Sequence, residues 1–426
     1  MNYNDIIALI KREVVPAIGC TEPIAVALCA CHAAEALGTL PDSITVRLSA
    51  NMLKNAMGVG IPGTGMVGLP IAVALGVTIG RSEYQLEVLR DCNPEAVQAA
   101  RHYLAEHSVD IKLKESADID KLYIEVVLTK GKHHATAIIA HEHTNLIFLQ
   151  ADDRILCDKK PQQQSLDEDS ANELTLKQVY DFATTAPLTD IDFINEARRL
   201  NEEAANRALE GNYGHQLGKT LSRPIGRGIM GDSIFSHILS ATSSACDARM
   251  AGAMIPVMSN SGSGNQGIAA TLPVVVFARE NHNTEEELTR ALVLSHLTAI
   301  YIKQSLGRLS ALCGCVVAST GSSCGLTYLM GGTYQQVAYS VKNMIANLTG
   351  MVCDGAKPSC ALKVSSGVST AVLSAILAVQ NKHVSNVEGI IESDVDQCIH
   401  NLTRVGSQAM NETDRMVLDI MTHKKP

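Results

Sequence analysis

Tryptophan is absent from this 426-residue chain, and aromatic residues of all kinds make up only 4% of it. Its core must therefore be built from small and branched aliphatic side chains. Gly, Ala, Ser and Thr crowd the second half, a composition suited to helices that approach closely and exclude water. There is no basic block: 35 Lys and Arg against 44 Asp and Glu leave a net charge of −9, which argues against a nucleic-acid surface driven by phosphate neutralisation. The expected partner is a small molecule. The start, Met1-Asn2-Tyr3-Asn4-Asp5, lacks the basic residues and apolar run of a secretory signal, so a cytoplasmic location is expected. An unbroken apolar run is lacking too. Residues 309–341 carry no charge but are interrupted by Ser310, Ser319, Thr320, Ser322, Ser323 and several glycines, so a buried helix pair is expected rather than a membrane span.

What is present, 46% hydrophobic and 19% charged residues, supplies ample apolar surface for a compact fold. At roughly 150 residues per domain the length allows two or three domains, and the pattern along the chain favours two. An amphipathic start leads through Pro16 to Gly19-Cys20-Thr21-Glu22-Pro23. Residues 24–37 then read as an Ala-rich helix, with Thr21 the expected N-cap and Pro23 near the first turn. Residues 43–48 alternate as a strand, 58–68 form a Gly-rich loop, and 66–76 and 94–107 read as helices. Residues 111–113, 122–128, 134–141 and 145–149 have the β-branched, alternating character of strands. Residues 159–172 turn polar, as a linker would. Beyond it, residues 174–184, 191–209, 233–249, 285–305, 309–329, 333–347 and 364–379 have helical length and period. The expectation is an α+β chain, with an α/β domain over residues 1–160 and a larger all-α domain over residues 171–426.

Twelve cysteines at irregular spacings, in a chain without an export signal, read as thiols, ligands or nucleophiles before disulfide partners. Cys20 falls at an expected helix start, where unpaired N–H groups and the helix dipole favour a thiolate. It is a candidate nucleophile or base, the alternative being a core thiol like Cys29 and Cys31. Ser259-Asn260-Ser261-Gly262-Ser263-Gly264-Asn265-Gln266-Gly267 gathers hydroxyls, amides and glycines between two apolar runs. Such a loop brings many N–H donors around an anion such as a carboxylate, the alternative being an ordinary tight connection. It has neither the Gly-x-Gly-x-x-Gly order nor the P-loop lysine of a nucleotide site. Cys353 and Cys360 flank a turn containing Gly355 and Pro358, with Cys313, Cys315 and Cys324 upstream. Thiols converging across such a turn select zinc or an iron–sulfur cluster. Neither Cys-x-Cys nor Cys-x6-Cys is a standard pattern for either, and unliganded core cysteines remain the alternative.

Several of these motifs occur together and in order: Gly19-Cys20-Thr21-Glu22-Pro23, Asn51-Met52-Leu53-Lys54-Asn55, Pro62-Gly63-Thr64-Gly65, the loop from Ser259 to Gly267, Arg308-Leu309-Ser310-Ala311-Leu312-Cys313 and Cys353-Asp354-Gly355-Ala356. Over essentially its whole length the chain thereby resembles the L-cysteine desulfidase family, whose bacterial members are related to the iron–sulfur L-serine dehydratase α-chain. The resemblance implies a [4Fe–4S] lyase that converts L-cysteine to pyruvate, ammonia and hydrogen sulfide, with L-serine the second candidate substrate. It carries the role of proton acceptor to Cys20 and the cluster to Cys313, Cys353 and Cys360, with Cys315 close enough in sequence to substitute for Cys313. Ser261, Ser263, Gly264, Asn265 and Gln266, together with Asn51 and Lys54, are the expected substrate contacts. Lys54 is also the expected cation that lowers the Cys20 pKa, its alternative being a surface lysine. Because Cys20 precedes Cys313 by more than 290 residues, the active site is expected between the two domains. A homodimer is expected, with neither nucleic acid nor membrane as partner. A metal-dependent sensor using the same cysteines is the alternative of another class.

Overall fold

The computed structural model describes residues 1–114, 119–159 and 174–424, so the expected linker at residues 159–172 lies, but for Lys159, outside the described residues. The first part of the chain runs through α1 (Tyr3–Glu13), β1 (Pro16–Ile18), α2 (Thr21–Leu37), β2 (Ser43–Leu48), α3 (Ala50–Ala56), α4 (Leu69–Thr78) and α5 (Pro94–Glu106). Then come β3 (Val109–Leu113), β4 (Tyr123–Lys130), β5 (His133–Ala140), β6 (Leu146–Ala151) and β7 (Arg154–Asp158). With β2 these strands form one sheet in the order β3-β2-β4-β5-β6-β7, parallel only between β2 and β3. The alternation of β2 buries Ile44, Val46 and Leu48 and leaves Ser43, Thr45 and Arg47 more exposed, as a one-sided sheet requires. Against its inner face lies α2, so rich in alanine that α4 comes down onto its backbone. A Cβ at Gly76 would collide with the Ala27 carbonyl.

Among the described residues beyond β7, the regular structure is helical but for β8 (Pro256–Met258). It comprises α6 (Leu176–Thr185), α7 (Leu188–Ile191), α8 (Asn195–Glu210), α9 (Leu217–Ser222), α10 (Pro224–Met230), α11 (Ile234–Met250), α12 (Gly264–Glu280), α13 (Glu285–Leu306), α14 (Gly314–Leu329), α15 (Tyr334–Leu348), α16 (Cys360–Val379), α17 (Val395–Arg404) and α18 (Asn411–Thr422). The chain is thus α+β, with a sheet-containing N-terminal region and a larger helical one. The central helix is α14, packed by α12, α13, α15 and α16. Of its many hydroxyls, that of Ser319 is buried without a partner, and most of the others are satisfied within the helix. Thr320 donates to Val316 O, Ser323 to Thr320 O and Thr327 to Ser323 O, so the helix satisfies them from its own carbonyls. A Cβ at Gly321 would strike the Ser295 carbonyl, which shows how closely α13 and α14 approach.

The uncharged stretch of residues 309–341 turns between α14 and α15 instead of forming one long helix. Among the described residues only α16 is long and apolar enough to cross a membrane, and half of its most apolar window is buried inside the protein. Several elements depart from the sequence expectation, which did not include α3, β7, α17 or α18 and started α14 five residues early. The segment expected as one helix over residues 191–209 is broken by a 3-10 turn at Asp192–Ile194. The apolar run after the Ser-Gly loop forms α12 despite Pro273 within it. Finally, α16 starts at Cys360, four residues earlier than the periodicity implied, which puts that thiol in its first turn.

The N-terminal arm crosses over to the helical region. Ile6, Leu9 and Ile10 of α1 share the core of the helices. β1 pairs antiparallel with β8, Ala17 opposite Val257. Beyond that pair, Ser259 N donates to Val15 O and Ser261 N to Glu13 O, each at 2.9 Å. Arg308 adds a two-pronged ion pair to Glu13 at 2.9 and 3.1 Å. This zipper brings Gly19-Cys20 against the Ser259 to Gly267 loop, although they lie far apart in sequence.

Candidate active site

Four helices begin at one cavity of about 760 Å³, open mouth included: α2 with Cys20 as its N-cap, α12 with Ser263 as its N-cap, α14 with Cys313 as its N-cap, and α16 with Cys360 in its first turn. Their unpaired N–H groups and aligned dipoles make this an electropositive place that favours anions and thiolates. N-terminal residues Cys20, Glu22, Asn55 and His143 face helical-region residues across it, so both regions of the chain build the walls.

The cysteine wall owes its shape to a short backbone pairing. Cys313 N donates to Met351 O at 3.0 Å and Cys353 N to Ala311 O at 2.7 Å, flanking an antiparallel bridge between Leu312 and Val352. Cys313 thereby stands opposite Met351 and Cys353 opposite Ala311, diagonally across the bridge and both on the cavity, and the turn through Gly355 brings Cys360 round to the same cavity. Lys363 and Lys357 both ion-pair with Asp354, and Lys363 also donates to Val352 O, which ties the turn down. The Cys315 thiol and these lysines pull the Cys313 thiol below its ordinary pKa. Cys315 itself reaches the cavity but donates to Lys363 O at 3.2 Å. Among the described residues no three His, Cys, Asp or Glu side chains stand close enough to chelate a single metal ion. A cluster makes a different demand, since each thiolate takes a different iron and the ligands stand further apart. Three thiols spread over one wall, without histidine or carboxylate among them, fit an iron–sulfur cluster better than one ion.

On the opposite wall, Cys20 is 2% exposed and its thiol donates to Glu22 Oε2 at 3.0 Å, while Asn55 Nδ2 holds the other oxygen at 3.2 Å. The cap is Cys20 itself; Thr21, expected to cap, is the first helical residue and its buried hydroxyl has no partner. The pKa of Cys20 also departs from expectation. Burial first, and then the Glu22 charge, push it well above the ordinary thiol value, while the Arg249 charge and the Glu22 backbone N–H pull the other way. The cation beside Cys20 is therefore Arg249.

Lys54 does something else. It is neither a surface residue nor a cavity contact but is fully buried, ion-paired with Asp414 of α18 and donating to Cys353 O at 3.2 Å. Asn51 likewise donates to Asp414, at 2.8 Å. Neither lines the cavity, so the expectation of direct substrate contact from Asn51 and Lys54 fails. Lys54 instead braces the cysteine turn from behind, where Gly355 lies so close to the end of α3 that a Cβ would hit Lys54 O.

The Ser-Gly loop supplies the third wall. Ser261, Ser263, Asn265 and Gln266 line the cavity, and Gly264 instead gives Arg249 room: a Cβ there would overlap its Nε. Arg249 is 3% exposed, forms no ion pair among the described residues, donates from Nη1 to Asn265 Oδ1 at 3.1 Å and leaves Nε unsatisfied. A buried guanidinium without an anion is costly, which marks this as a place for a carboxylate. Gln266 Oε1 is also buried and unpartnered. His143, against Gly262, is held to about 4 by burial and so stays neutral. Lys303, in the last turn of α13, is 7% exposed and has no hydrogen-bond or ion-pair partner for its amine among the described residues; burial pulls its pKa down to about 8. Arg249, Lys303, Glu22 and His143 carry no local sequence signature beyond Glu22's place in the Gly-Cys-Thr-Glu-Pro motif.

Beneath the loop, His296 accepts from Asn260 Nδ2 at 3.1 Å and donates to Thr271 Oγ1 at 2.9 Å, because that hydroxyl already donates to Gly267 O. Burial lowers its pKa to about 3. In the unfolded chain the imidazole takes up a proton below about 6.5 while the folded one does not, so stability falls as pH drops from about 6.5 towards 3. His296 alone should contribute a slope of about 1.4 kcal/mol per pH unit there. Urea unfolding of wild type and His296→Gln at pH 7.5 and 5.0 checks this: the variant should start less stable and lose less on acidification.

The geometry can be set beside known proteins. Residues 83–419 match the family described as serine dehydratase alpha chain. The chain belongs to that family. Serine dehydratase alpha chains are generally iron–sulfur dependent, in keeping with the cysteine wall. Among its relatives, a UPF0597 protein of Bacteroides thetaiotaomicron is 69% identical over 419 residues, covering 98% of this chain and 97% of the relative. UPF0597 proteins of Porphyromonas gingivalis and Aeromonas hydrophila are 54% and 44% identical over 426 and 427 residues, each covering 99% of this chain and 98% and 97% of the relatives.

Proposed function

We propose that this serine dehydratase alpha chain relative is an iron–sulfur-dependent lyase that eliminates the β-substituent of a small L-amino acid, L-cysteine first and L-serine second. The observation that carries the reading is that one cavity holds a thiol–carboxylate pair, a buried arginine against the start of α12 with no anionic partner among the described residues, and three cysteines on a common wall. In this reading Arg249, Asn265 and the α12 N-terminus bind the substrate carboxylate, with Ser261, Ser263 and Gln266 completing the cradle. That anchoring aims the Cα–H bond at Cys20. Cys20 passes its thiol proton to Glu22 and takes the Cα proton on sulfur. Its raised pKa makes the thiolate scarcer but the stronger base, a trade typical of general-base catalysis. When bound by Cys313, Cys353 and Cys360, the cluster supplies an electrophilic iron with an open position. The C–H electron pair becomes the C=C bond of an aminoacrylate while the C–S or C–O pair leaves with the heteroatom. The aminoacrylate tautomerises and hydrolyses to pyruvate and ammonia without further catalysis. Serine is kept as a substrate because the family is described by it. Self-association is part of the reading, supported by the exposed Leu373, Ile376 and Leu377 on one face of α16.

Anaerobic incubation of iron-loaded protein with each small L-amino acid tests the reading, pyruvate and sulfide from L-cysteine being the expected products. A panel in which no amino acid yields a 2-oxo acid would sink it. Within the site, Arg249→Met should remove a charge-assisted contact worth about 1.5–3 kcal/mol, raising KM about tenfold to a hundredfold with iron content unchanged. Asn265→Ala, which frees that guanidinium but takes its partner away, should move KM the same way by less. Unchanged kinetics in both would remove this wall from the substrate site.

A further inference from the structure

Lys303 is unexplained by the roles assigned so far. Its amine is buried at the cavity, has no hydrogen-bond or ion-pair partner among the described residues, and is not the cation beside Cys20. The ionisable groups around it include Cys353, Arg308, Glu22, Cys313 and the neutral His143. Arg308 is already committed to Glu13 and Glu142, and Glu22 to Cys20 and Asn55. Arg249, by contrast, lies against Gly264 and Asn265 at the start of α12. The two cations therefore take different places in the cavity, Arg249 at the start of α12 and Lys303 beside the cysteine wall and Glu22. The bond to the leaving group must break at that wall if Arg249 holds the carboxylate and Cys20 faces the Cα–H.

We propose that Lys303 is a catalytic residue that protonates the departing heteroatom. This rests on the elimination reading above. The balance is simple. Cys20 gains the Cα proton, the C–H pair forms the C=C bond, and the C–X pair goes to X. HS⁻ or HO⁻ then takes one proton from the Lys303 ammonium to leave as hydrogen sulfide or water; Cys20 is again a thiol, and the cycle closes when Glu22 gives up the proton it received and Lys303 regains one by exchange with solvent. An ammonium with three mobile donors suits this role, whereas a guanidinium cannot give up its proton.

The proposal separates from a merely charge-balancing lysine by how the effect depends on the leaving group. Chloride needs no proton, sulfide needs one less urgently than hydroxide, and hydroxide most. Lys303→Met and Lys303→Arg are compared with wild type on L-serine, L-cysteine and β-chloro-L-alanine, all anaerobically loaded, with iron, sulfide and melting temperature measured alongside. General-acid loss is worth about 10²–10⁴-fold. Both variants should lose that much kcat on L-serine, clearly less on L-cysteine, and little on β-chloro-L-alanine, at unchanged iron content. Arg keeps the buried charge, so Lys303→Arg serves if the Met variant does not fold. Equal losses on all three substrates, or full rescue by Arg, would overturn the proposal. Wild type that releases no pyruvate from any of the three would instead overturn the elimination reading itself.

Discussion

Cys20→Ser should lose at least about a hundredfold in turnover while keeping its fold and its iron, because the substitution preserves size and hydrogen bonding to Glu22 but replaces a thiol by a far weaker acid whose anion is not populated. The structure sharpens this expectation. Cys20 is already pushed up by burial and by Glu22, so the thiolate is scarce even in the native enzyme and there is no reserve of basicity for serine to draw on. Exchange of the substrate α-hydrogen with solvent deuterium should vanish in the same variant. Glu22→Gln, which keeps the shape of the pair but cannot accept the thiol proton as a carboxylate does, should show a smaller loss in the same direction. Near-normal turnover by Cys20→Ser would remove the thiol from the chemistry and leave Glu22 as the base.

The second large effect concerns the cysteine wall. Cys313→Ala, Cys353→Ala and Cys360→Ala should each abolish stable cluster binding, read as iron and acid-labile sulfide after anaerobic reconstitution, because a site that leaves one iron open has no spare thiolate. Cys315→Ala is the informative control. Its thiol is bonded to Lys363 O, so the variant should retain iron, with a changed Cys313 thiol reactivity in the unloaded protein because Cys315 is what chiefly lowers the Cys313 pKa. Iron retained by Cys313→Ala and lost by Cys315→Ala would exchange the two assignments. Lys54→Met should also weaken retention, since Lys54 braces the Cys353 carbonyl from α3 and ties it to Asp414.

How much of this was legible beforehand depended on whether a residue's role was written locally. Cys20 sits in a turn-plus-helix-start motif, and the loop's hydroxyls and glycines form a continuous run, so both could be singled out from the chain alone. Five of the six strands of the sheet were visible for the same reason, through alternation within each strand, whereas β7 was not. The pairing of β1 with β8 was not, because three residues carry no period and the partners are far apart in sequence. Arg249 and Lys303 are isolated basic residues on otherwise ordinary helices. Only tertiary packing buries them and withholds a partner, and no local pattern encodes that. Lys54 failed for the opposite reason: its motif was conspicuous, but its amine is drawn away from the cavity by Asp414, a residue of the last helix.

The measurement that tests the account most directly is a reconstitution titration. Protein loaded anaerobically with increasing iron and sulfide is assayed for pyruvate from L-cysteine and L-serine side by side. The account predicts that pyruvate formation rises in proportion to bound cluster, is faster with L-cysteine, and is absent without iron. Cluster-free protein as active as loaded protein, or fully loaded protein inert towards both amino acids, would contradict it.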